Sequence, residues 1–516
     1  MPMNERHPAL EPESNLGTPR LPGRLRVAFW LATAIMTGAV IMGLELVAFR
    51  LYAPYFGYSI YVWGSMISVV MLALACGYAL GGWLADRSRT DFPLYLTILA
   101  SGLYQLVLIF TVRKILLALW QSGEFTGTVV ATLVIFVPPM TALAVTSPFI
   151  IRILARAGHV GSVAGMVYAL ATAGSIAGTL LTSFYLVPRF GTQITLQVLA
   201  AASILMGGLG LAARRRLALA ALLPVVALPL APKSKLAPGE VWRTESAYNL
   251  VRVIHHENLL WLVLNDARYF QTIRGVTETW SGYYVDDFAL GPLLVPARRL
   301  LVLGMGGGGS ILSTRAVAPD IEVDAVEIDR QVVEAGLRFF GLPGSDPRVR
   351  IHVADARPWL ERHPGRYDIV HVDLYHGGPY VPFYLVTVEF FASVRRHLSE
   401  DGLVMMNVYD KSRSHEVLSA TAATLRRVFP SLLVLARPDG NNVVLAFPRA
   451  RTLAEVRSRL ENVAGPEAVR QLARQAAHSL TEFVPPPDAV VFTDDRAPVE
   501  EMTRRVILEE AKVAQR

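Results

Sequence analysis

Glycines and carboxylates that could bind a nucleotide stand at regular points in the second half of this 516-residue chain. Four consecutive glycines, Gly306–Gly309, follow the apolar stretch Leu-Val-Leu-Gly-Met. Glu327 ends a second apolar stretch roughly 20 residues later, which is the spacing of the nucleotide fingerprint. Glycines let the main chain approach a ligand closely, and a carboxylate accepts hydrogen bonds from both ribose hydroxyls. The pattern therefore predicts a nucleotide-binding turn that lacks an acid of its own.

A further carboxylate, Asp355, follows the next apolar stretch in the sequence Ala-Asp-Ala. An aspartate at this position can accept a hydrogen bond from the exocyclic amine of adenine, and the spacing after Glu327 argues against a nicotinamide ligand. Together these groups suit an adenosyl sulfonium. The predicted contacts to this ligand are Gly304, Gly306, Gly308, Glu327, Asp355 and Ala356.

A sheet is needed to bring these groups together. Between residues 296 and 450, apolar runs of strand length alternate with segments of helical pattern. This alternation predicts a doubly wound, parallel, Rossmann-like α/β domain, in which the carboxyl ends of the strands form one crevice. Before it, an alternating pattern over 236–290 predicts a small β-hairpin domain with a turn at His256–Asn258. Residues 451–516 are expected to form a C-terminal helical segment and tail.

The first half of the chain has the composition of a membrane protein. Hydrophobic residues make up 53% of the chain and charged residues 18%, with a mean hydropathy of +0.39, which is too apolar for a soluble chain. After an N-terminal tail (1–24), an α-helical transmembrane bundle of six to seven spans is predicted over 25–232. Glu45 lies inside the first span, where a carboxylate has either a functional or a helix-linking role. The candidate spans are 25–48, 61–84, 92–112, 126–150, 163–186 and 191–212, with a marginal seventh at 217–231 whose crossing stays open.

Arginine clusters indicate the orientation of these spans. They precede the first span and follow the second, fourth and sixth, so they fall on one side if six segments cross. Basic loops are typically cytoplasmic. We therefore expect an inner-membrane protein whose soluble half is also cytoplasmic, since that half needs a cytosolic metabolite. The net charge of +7 has the same origin, because no basic stripe interleaved with aromatics indicates nucleic-acid binding. The clusters comprise Arg24, Arg26, Arg87, Arg89, Arg152, Arg156 and Arg214–Arg216.

Residues 243–450 resemble the polyamine aminopropyltransferases, the spermidine synthase family. The likeness runs through ESAYNLVRV, FQT, YYVDDFALGPLL, the glycine turn, EID, ADA, YDIVHVD and FYLVTVEFFASVRRHLSEDGLVMMNV. With an apolar first half and a TDDRAPVE tail, the chain resembles the bacterial membrane-fused members of this group. The resemblance implies an aminopropyl or alkyl transferase of polyamine biosynthesis. It would use decarboxylated or intact S-adenosylmethionine, need no metal and release methylthioadenosine.

The resemblance also implies roles for single residues. Asp373 matches the catalytic aspartate, Glu327 and Asp355 match the ribose-binding and adenine-binding acids, and Gln271 matches a glutamine that contacts the nucleoside. The implied reaction is an in-line attack by an amine on the carbon beside the sulfonium. An ammonium with a pKa near 10.4 has to lose a proton first, and a carboxylate can accept it. Substrate contacts are expected from Tyr248, Tyr284, Tyr375 and His376.

Two positions depart from the family's pattern. Gly307 stands where an aspartate usually pairs with the amine of the donor, and His376 stands where a second aspartate usually follows Asp373 by three residues. Both differences remove negative charge from the region that holds cationic amines. They weaken the case for putrescine as acceptor, and they remove an acid that would repel the carboxylate of intact S-adenosylmethionine.

Three functions stay open at this point. They are an alkyl transferase, a methyltransferase that releases adenosylhomocysteine, and a non-catalytic nucleoside-binding sensor or transport-coupled module. The presence of Asp373 favours the first. The expected partners are the sulfonium donor, an amine or other small nucleophile, and the lipid bilayer, without nucleic acid. The oligomeric state stays open, with a homodimer as one alternative.

Overall fold

The first half of the chain folds into a helical bundle. The computed structural model describes residues 23–57, 59–119, 122, 124–155, 159–211, 236–265, 269–276 and 280–514. Helices α4, α5 and α6 follow one another with breaks at Phe136 and Val145, and a π-helical turn, Thr182–Leu186, joins α7 to α8. The helices are α1 (Arg24–Phe56), α2 (Ile60–Arg87), α3 (Phe92–Leu119), α4 (Glu124–Ile135), α5 (Val137–Ala144), α6 (Thr146–Leu154), α7 (Val160–Leu181) and α8 (Val187–Gly210).

Five helical stretches of the described residues are long and apolar enough to cross a membrane. The sequence predicts six spans in the same region. The difference arises in the stretch Val160–Gly210, which holds the fifth and sixth predicted spans in one run. Gly191 interrupts this run with a φ of +79° and a ψ of 173°, so the chain reverses there. The stretches are Arg24–Phe56, Ile60–Arg87, Phe92–Leu119, Val137–Leu154 and Val160–Gly210.

Glycines on α7 and α8 establish how the helices run. A Cβ on Gly174 would lie 2.0 Å from the carbonyl oxygen of Ile35, and one on Gly178 would lie 2.3 Å from that of Ala39, so α7 runs parallel to α1. Small residues at such contacts let helices approach closely. Helix α8 runs antiparallel to α3, because Ile204 contacts Gly102, whereas Gly210 contacts Tyr95.

The bundle consequently has two distinct ends. At the first, which we call the arginine end, Arg26 at the start of α1 pairs with Asp91 beside α3 at 3.0 Å. Arg152 near the end of α6 pairs with Asp86 near the end of α2 at 2.8 Å. At the second, which we call the docking end, α1 ends, α2 begins and the chain reverses at Gly191.

The second half begins with an antiparallel four-stranded sheet in the order β1-β2-β3-β4. Its strands are β1 (Glu240–Glu245), β2 (Leu250–His256), β3 (Leu259–Leu264) and β4 (Thr272–Gly275). The predicted turn joins β2 to β3, and Glu257 in it has a φ of +52°. A 3-10 helix, Tyr284–Leu290, and the short α9 (Gly291–Leu294) lead into the larger sheet.

The larger sheet has eight strands in the order β12-β10-β11-β9-β8-β5-β6-β7. Strands β7, β6, β5, β8 and β9 are parallel, as predicted, whereas β11, β10 and β12 pair antiparallel. The fully parallel prediction is wrong at this edge because a tight turn ending at Gly440, with a φ of +90°, joins β10 to β11 without a helix. The strands are β5 (Arg299–Leu303), β6 (Glu322–Glu327), β7 (Val349–Val353), β8 (Tyr367–Val372), β9 (Leu398–Tyr409), β10 (Ser431–Leu435), β11 (Asn441–Phe447) and β12 (Leu480–Thr481).

Helices cover both faces of this sheet. Buried side chains form one core around Phe390 and Phe429, and a second core around Phe288 on the other face. The helices are α10 (Gly309–Val317), α11 (Arg330–Phe339), α12 (Ala356–Arg362), α13 (Val388–Arg396), α14 (Glu416–Leu425), α15 (Leu453–Glu461), α16 (Glu467–Ser479) and α17 (Val499–Ala514).

The α/β half packs against the docking end of the bundle. The Glu245 carboxylate accepts hydrogen bonds from the backbone N–H and the hydroxyl of Thr192, at 2.8 and 2.5 Å. The Arg50 guanidinium donates to the carbonyl of Ser246. The backbone N–H of Ile60 donates to the Glu500 carboxylate at 3.4 Å.

This contact overturns one expectation from the sequence. The soluble half was expected on the same side as the arginine clusters, and for the described residues that expectation is wrong. Helix α8 runs away from the docking end, so Leu211 lies at the arginine end, whereas the chain resumes with β1 at the docking end. The predicted segment 217–231, most of the N-terminal tail, Arg156 and Arg214–Arg216 lie outside the described residues.

Candidate active site

The glycine turn connects β5 to α10 at the centre of the larger sheet. Gly304, Gly306 and Gly308 have φ angles of +81°, +53° and +85°, which L side chains rarely adopt. A Cβ on Gly304 would lie 2.2 Å from the carbonyl oxygen of Asp373, at the end of the neighbouring strand β8. The glycines therefore allow the turn to lie directly against the strand end that carries the predicted catalytic aspartate.

Glu327 at the end of β6 lies beside this turn. Its carboxylate accepts hydrogen bonds from the backbone N–H groups of Gly306 and Asp329, both at 3.1 Å. Burial raises the pKa of Glu327 to about 7, and these two donors partly oppose the rise. The carboxylate is thus held at the turn with limited access to water, which strengthens hydrogen bonds to a ligand.

Asp355 follows β7 and caps helix α12. One carboxylate oxygen accepts from the backbone N–H of Arg357 at 3.1 Å, which orients the side chain at the helix start. The other accepts from the hydroxyl of Tyr384 at 3.0 Å. Ala356 is the buried first residue of the same helix. No sequence pattern pointed to Tyr384, because it lies nearly 30 residues away on a short 3-10 helix.

Asp373 follows β8, between the glycine turn and β9. Its carboxylate accepts hydrogen bonds from the Tyr284 hydroxyl and the Asn407 amide, each at 3.0 Å. Burial raises the pKa of Asp373 to about 7, and the two hydrogen bonds partly oppose this. A carboxylate with a pKa near neutrality, held by two neutral donors, can accept a proton at physiological pH. Asn407 was missed, although one amide in the apolar run Leu-Val-Met-Met-Asn-Val was a usable signal.

A small cavity of about 210 Å³ lies next to these two partners of Asp373. Gln271, Tyr284, Tyr375 and Asn407 line it, together with Asp439, which the sequence analysis did not select. The Tyr375 hydroxyl donates to the carbonyl of Asn407 at 3.1 Å, which orients its ring against β9. The structure therefore brings three predicted site residues, Gln271, Tyr284 and Tyr375, into one cavity.

Tyr248 and His376 line a different cavity. It has a volume of about 470 Å³ and lies between the α/β half and the docking end of the bundle. His376 belongs to the loop after β8, where its backbone N–H donates to the carbonyl of Tyr380 at 2.8 Å. The prediction grouped both residues with the other substrate contacts, and the structure separates them from the cavity beside Asn407. Their contact with substrate stays a prediction.

Gly307, which stands where the family usually has an aspartate, is buried against Thr272 and Phe340. Its backbone N–H donates to the Thr272 hydroxyl at 2.8 Å. A Cβ there would lie 3.1 Å from the Phe340 ring and 3.2 Å from the Thr272 side chain. A larger residue at this position would need small shifts of both neighbours. Among the residues that the structure describes, no group of three His, Cys, Asp or Glu side chains could hold a metal ion.

Comparison with known proteins adds a family to this geometry. Residues 291–439, from α9 to the turn before β11, match the family described as spermine/spermidine synthase domain. Residues 291–439 are therefore spermidine synthase-like. We use the name spermidine synthase-like domain for the α/β half that contains them, residues 236–514. The spermidine synthase-like domain includes the glycine turn, Glu327, Asp355 and Asp373.

Three relatives match between 157 and 273 residues of the chain. A probable polyamine aminopropyl transferase of Bifidobacterium longum is 27% identical over 273 residues, covering 50% of this chain and 60% of that protein. A polyamine aminopropyltransferase of Vibrio vulnificus is 28% identical over 188 residues, covering 36% of this chain and 58% of that protein. The mouse eEF1A lysine and N-terminal methyltransferase is 31% identical over 157 residues, covering 29% of this chain and 22% of that protein. The chain thus spans about three fifths of its first two relatives.

Proposed function

We propose that this protein transfers an aminopropyl or related alkyl group from an adenosyl sulfonium to an amine and releases methylthioadenosine. The observation that carries the proposal is the arrangement at Asp373. The main chain of Asp373 lies against the glycine turn, its carboxylate is held by Tyr284 and Asn407, and a cavity for a small molecule lies beside those two partners. The relatives named as aminopropyltransferases support the same reaction.

The donor would lie across the carboxyl ends of three strands. Glu327 would accept hydrogen bonds from the ribose hydroxyls and Asp355 from the adenine amine, while the glycine turn gives the main chain room to approach. Binding would require Asp355 to share or release its hydrogen bond from Tyr384. Gln271 directly precedes β4 and would contact the nucleoside from the four-stranded sheet. Its side-chain amide donates to the carbonyl of Gly378 at 3.4 Å.

The reaction then needs one proton transfer and one substitution. The acceptor ammonium gives a proton to the Asp373 carboxylate, which exposes the nitrogen lone pair. The nitrogen forms a bond to the carbon beside the sulfonium as the carbon–sulfur bond breaks. The electron pair of that bond goes to sulfur, so methylthioadenosine leaves as a neutral molecule. The hydrogen bonds from Tyr284 and Asn407 hold the Asp373 carboxylate in place while it orients the amine and accepts its proton.

Both departures from the family's pattern bear on the choice of substrate. Without an acid at Gly307, the turn offers no carboxylate to pair with the donor's amine or to repel a donor carboxylate. We therefore include intact S-adenosylmethionine as a donor, beside the decarboxylated form. Asp439 lines the small cavity, where it could contact an amine acceptor, although Lys411 lines the same cavity and Arg437 lies 3.7 Å from the Asp439 carboxylate.

Product identity tests this proposal. The purified full-length protein is incubated with each donor, with and without diamines, and the products are separated by chromatography and identified by mass spectrometry. Release of methylthioadenosine that depends on an amine is the expected result. A protein that binds a donor and releases neither methylthioadenosine nor an alkylated amine would refute the proposal and favour the non-catalytic sensor.

A methyltransferase is the second candidate. It is favoured by one observation, the 31% identity to the mouse methyltransferase over 157 residues. Its product would be adenosylhomocysteine, so the same chromatogram separates the two reactions.

We further propose that the bundle crosses a membrane with the arginine end in the cytoplasm. Five apolar helices support the crossing, and the excess of arginine at one end supports the orientation. The spermidine synthase-like domain packs against the other end, so this proposal places it on the non-cytoplasmic side. Donor would then have to be delivered across the membrane.

Reporter fusions test the orientation. A phosphatase fused after Pro238, where the described α/β half begins, is expected to be active, and a fusion after Arg89 at the arginine end is expected to be inactive. A fluorescent protein at the same two positions should give the opposite pattern. The reverse results would place the domain in the cytoplasm and remove the need for donor transport.

A further inference from the structure

The larger cavity lies at the junction of the two halves and is built from both. Leu46 and Phe49 of α1 and Trp63 of α2 form its helical wall, and Ser183 of the π-helical turn faces it. Its volume of about 470 Å³ falls within the range of small-molecule sites. Single π-helical turns inside α-helices often mark functional sites. Tyr248 and His376, whose contact with substrate stays a prediction, and Tyr384, which donates to Asp355, line this cavity too. It shares no lining residue with the small cavity beside Asn407.

The wall provided by the bundle suits an apolar chain at the edge of a bilayer. The cavity lies where α1 ends and α2 begins, which is the level of the membrane interface if these helices cross. The rings of Phe49 and Trp63 are 3.7 Å apart, and Trp63 remains 38% exposed. Tryptophan is enriched at this level because its ring is apolar and its N–H is polar.

Two charged side chains of opposite sign also line the cavity: Arg50, which follows Phe49 in α1, and Glu500 in α17. No ion pair of the described residues joins them. The Arg50 guanidinium uses a donor on the Ser246 carbonyl, and arginine has further N–H groups that match a phosphate. The Glu500 carboxylate has acceptor capacity beyond its 3.4 Å contact with Ile60. Tyr248 and Tyr384 add phenol hydroxyls.

We propose that this cavity binds a phospholipid whose head group carries a phosphate and a primary amine. Its acyl chain contacts the helical wall, its phosphate contacts Arg50 and its ammonium contacts Glu500. A free diamine lacks the group that Arg50 binds, and a purely anionic head group places negative charge beside Glu500. The site shares no lining residue with the small cavity beside Asn407, so lipid binding can be measured without the transfer reaction.

Binding to the delipidated full-length protein in detergent tests this assignment. Native mass spectrometry is carried out with phosphatidylethanolamine, phosphatidylglycerol and phosphatidylcholine that have identical acyl chains and with no sulfonium donor present. The expected result is about tenfold tighter binding of phosphatidylethanolamine than of either other lipid. Equal binding of all three, or tighter binding of phosphatidylglycerol, would overturn the proposal.

Matched variants locate the binding. Ser183→Trp fills the cavity and is expected to weaken phosphatidylethanolamine binding at least tenfold. Phe184→Trp is the control, because Phe184 is the next residue of the same turn, is 77% exposed and does not line the cavity. Glu500→Gln, at the surface start of α17, is expected to reduce the preference over phosphatidylglycerol while binding persists. If folded Ser183→Trp and Glu500→Gln both bind like the parent, the lipid lies elsewhere and the proposal fails.

Discussion

Polar groups are arranged differently in the bundle and in the spermidine synthase-like domain. In the bundle, the Gln105 amide donates to the hydroxyls of Ser101 and Ser203, at 3.1 and 3.3 Å, and the Ser101 hydroxyl donates to the carbonyl of Pro139 at 2.9 Å. These groups bond to one another across helices, which stabilises packing. In the spermidine synthase-like domain, Glu327, Asp355 and Asp373 lie at the carboxyl ends of the parallel strands β6, β7 and β8.

This difference predicts that substitutions of polar residues have different effects in the two regions. The buried acids of the domain are oriented by neighbours but retain acceptor capacity, and burial keeps the pKa of Glu327 and of Asp373 near 7. Such perturbed carboxylates cluster at functional sites. The comparison therefore supports the proposed chemistry at the carboxyl ends of these strands and a packing role for the polar groups of the bundle.

The largest effect is expected at Asp373. Asp373→Asn removes the proton acceptor while it keeps the size of the side chain, so the rate of methylthioadenosine release should fall by about 10²–10⁴-fold. Donor affinity, measured by calorimetry, should change little. The control is Asp401→Asn, since Asp401 is exposed and pairs with Arg449 at the surface. An unchanged rate of methylthioadenosine release in Asp373→Asn would show that Asp373 is not the proton acceptor.

The same carboxyl should set the pH dependence. Its pKa is raised from 3.8 to about 7 by burial, so it is protonated and inactive as a base below that pH. The value of kcat/KM should fall about tenfold per pH unit on the acid side of pH 7. An unchanged acid limb of the kcat/KM profile in Asp373→Asn would assign that profile to another group.

The same raised pKa acts on stability with the opposite sign. The protonated Asp373 stabilises the folded state fully below about pH 4, and this contribution is lost as the pH rises through about 7.

Glu327→Ala should weaken donor binding at least tenfold, because charge-assisted hydrogen bonds to the ribose contribute about 1.5–3 kcal/mol each. Calorimetry with the donor measures this. Glu322→Ala is the matched control, since Glu322 begins the same strand with a side chain that is 52% exposed. Equal affinities of Glu327→Ala and the parent would place the nucleoside elsewhere.

A smaller, selective effect is expected at Gly307. A carboxylate within about 4 Å of the donor's own carboxylate costs up to about 4 kcal/mol at an effective dielectric constant of 20, and solvent at the crevice reduces this. Gly307→Asp should therefore reverse the ranking of donors, from intact S-adenosylmethionine at least equal to the decarboxylated form towards a preference for the latter. The tight space beside Phe340 requires a folding check by circular dichroism first. A folded variant with the parent's ranking would separate donor choice from the missing acid.

The smallest effect is expected in the bundle. Glu45 is half-buried in α1, and the described hydrogen bonds and ion pairs do not include its carboxylate. Glu45→Gln should change methylthioadenosine release less than about twofold, because the chemistry lies in the other region. A large loss of activity would contradict this comparison and indicate a functional role for the Glu45 carboxylate.

Sequence patterns predicted the domain better than the junction. The carboxyl ends of parallel strands lie together by topology alone, so Glu327 and Asp355 could be placed from spacing, whereas Asp373 came from the family resemblance. Tyr384 and Asn407 contact these acids only after distant loops and strands fold together, which no local pattern encodes. The side of the bundle on which the domain lies also depends on long-range packing, namely the contact of Glu245 with Thr192. Local hydropathy carries no information about that contact.

The most direct test of the proposed transfer follows two atoms of the donor. A sulfonium donor with one carbon isotope label in its S-methyl group and another in its propyl chain is incubated with the full-length protein and a diamine. The account predicts that the propyl label appears in the alkylated amine while the methyl label stays in methylthioadenosine. A methyl label in the acceptor, with adenosylhomocysteine as the other product, would contradict it.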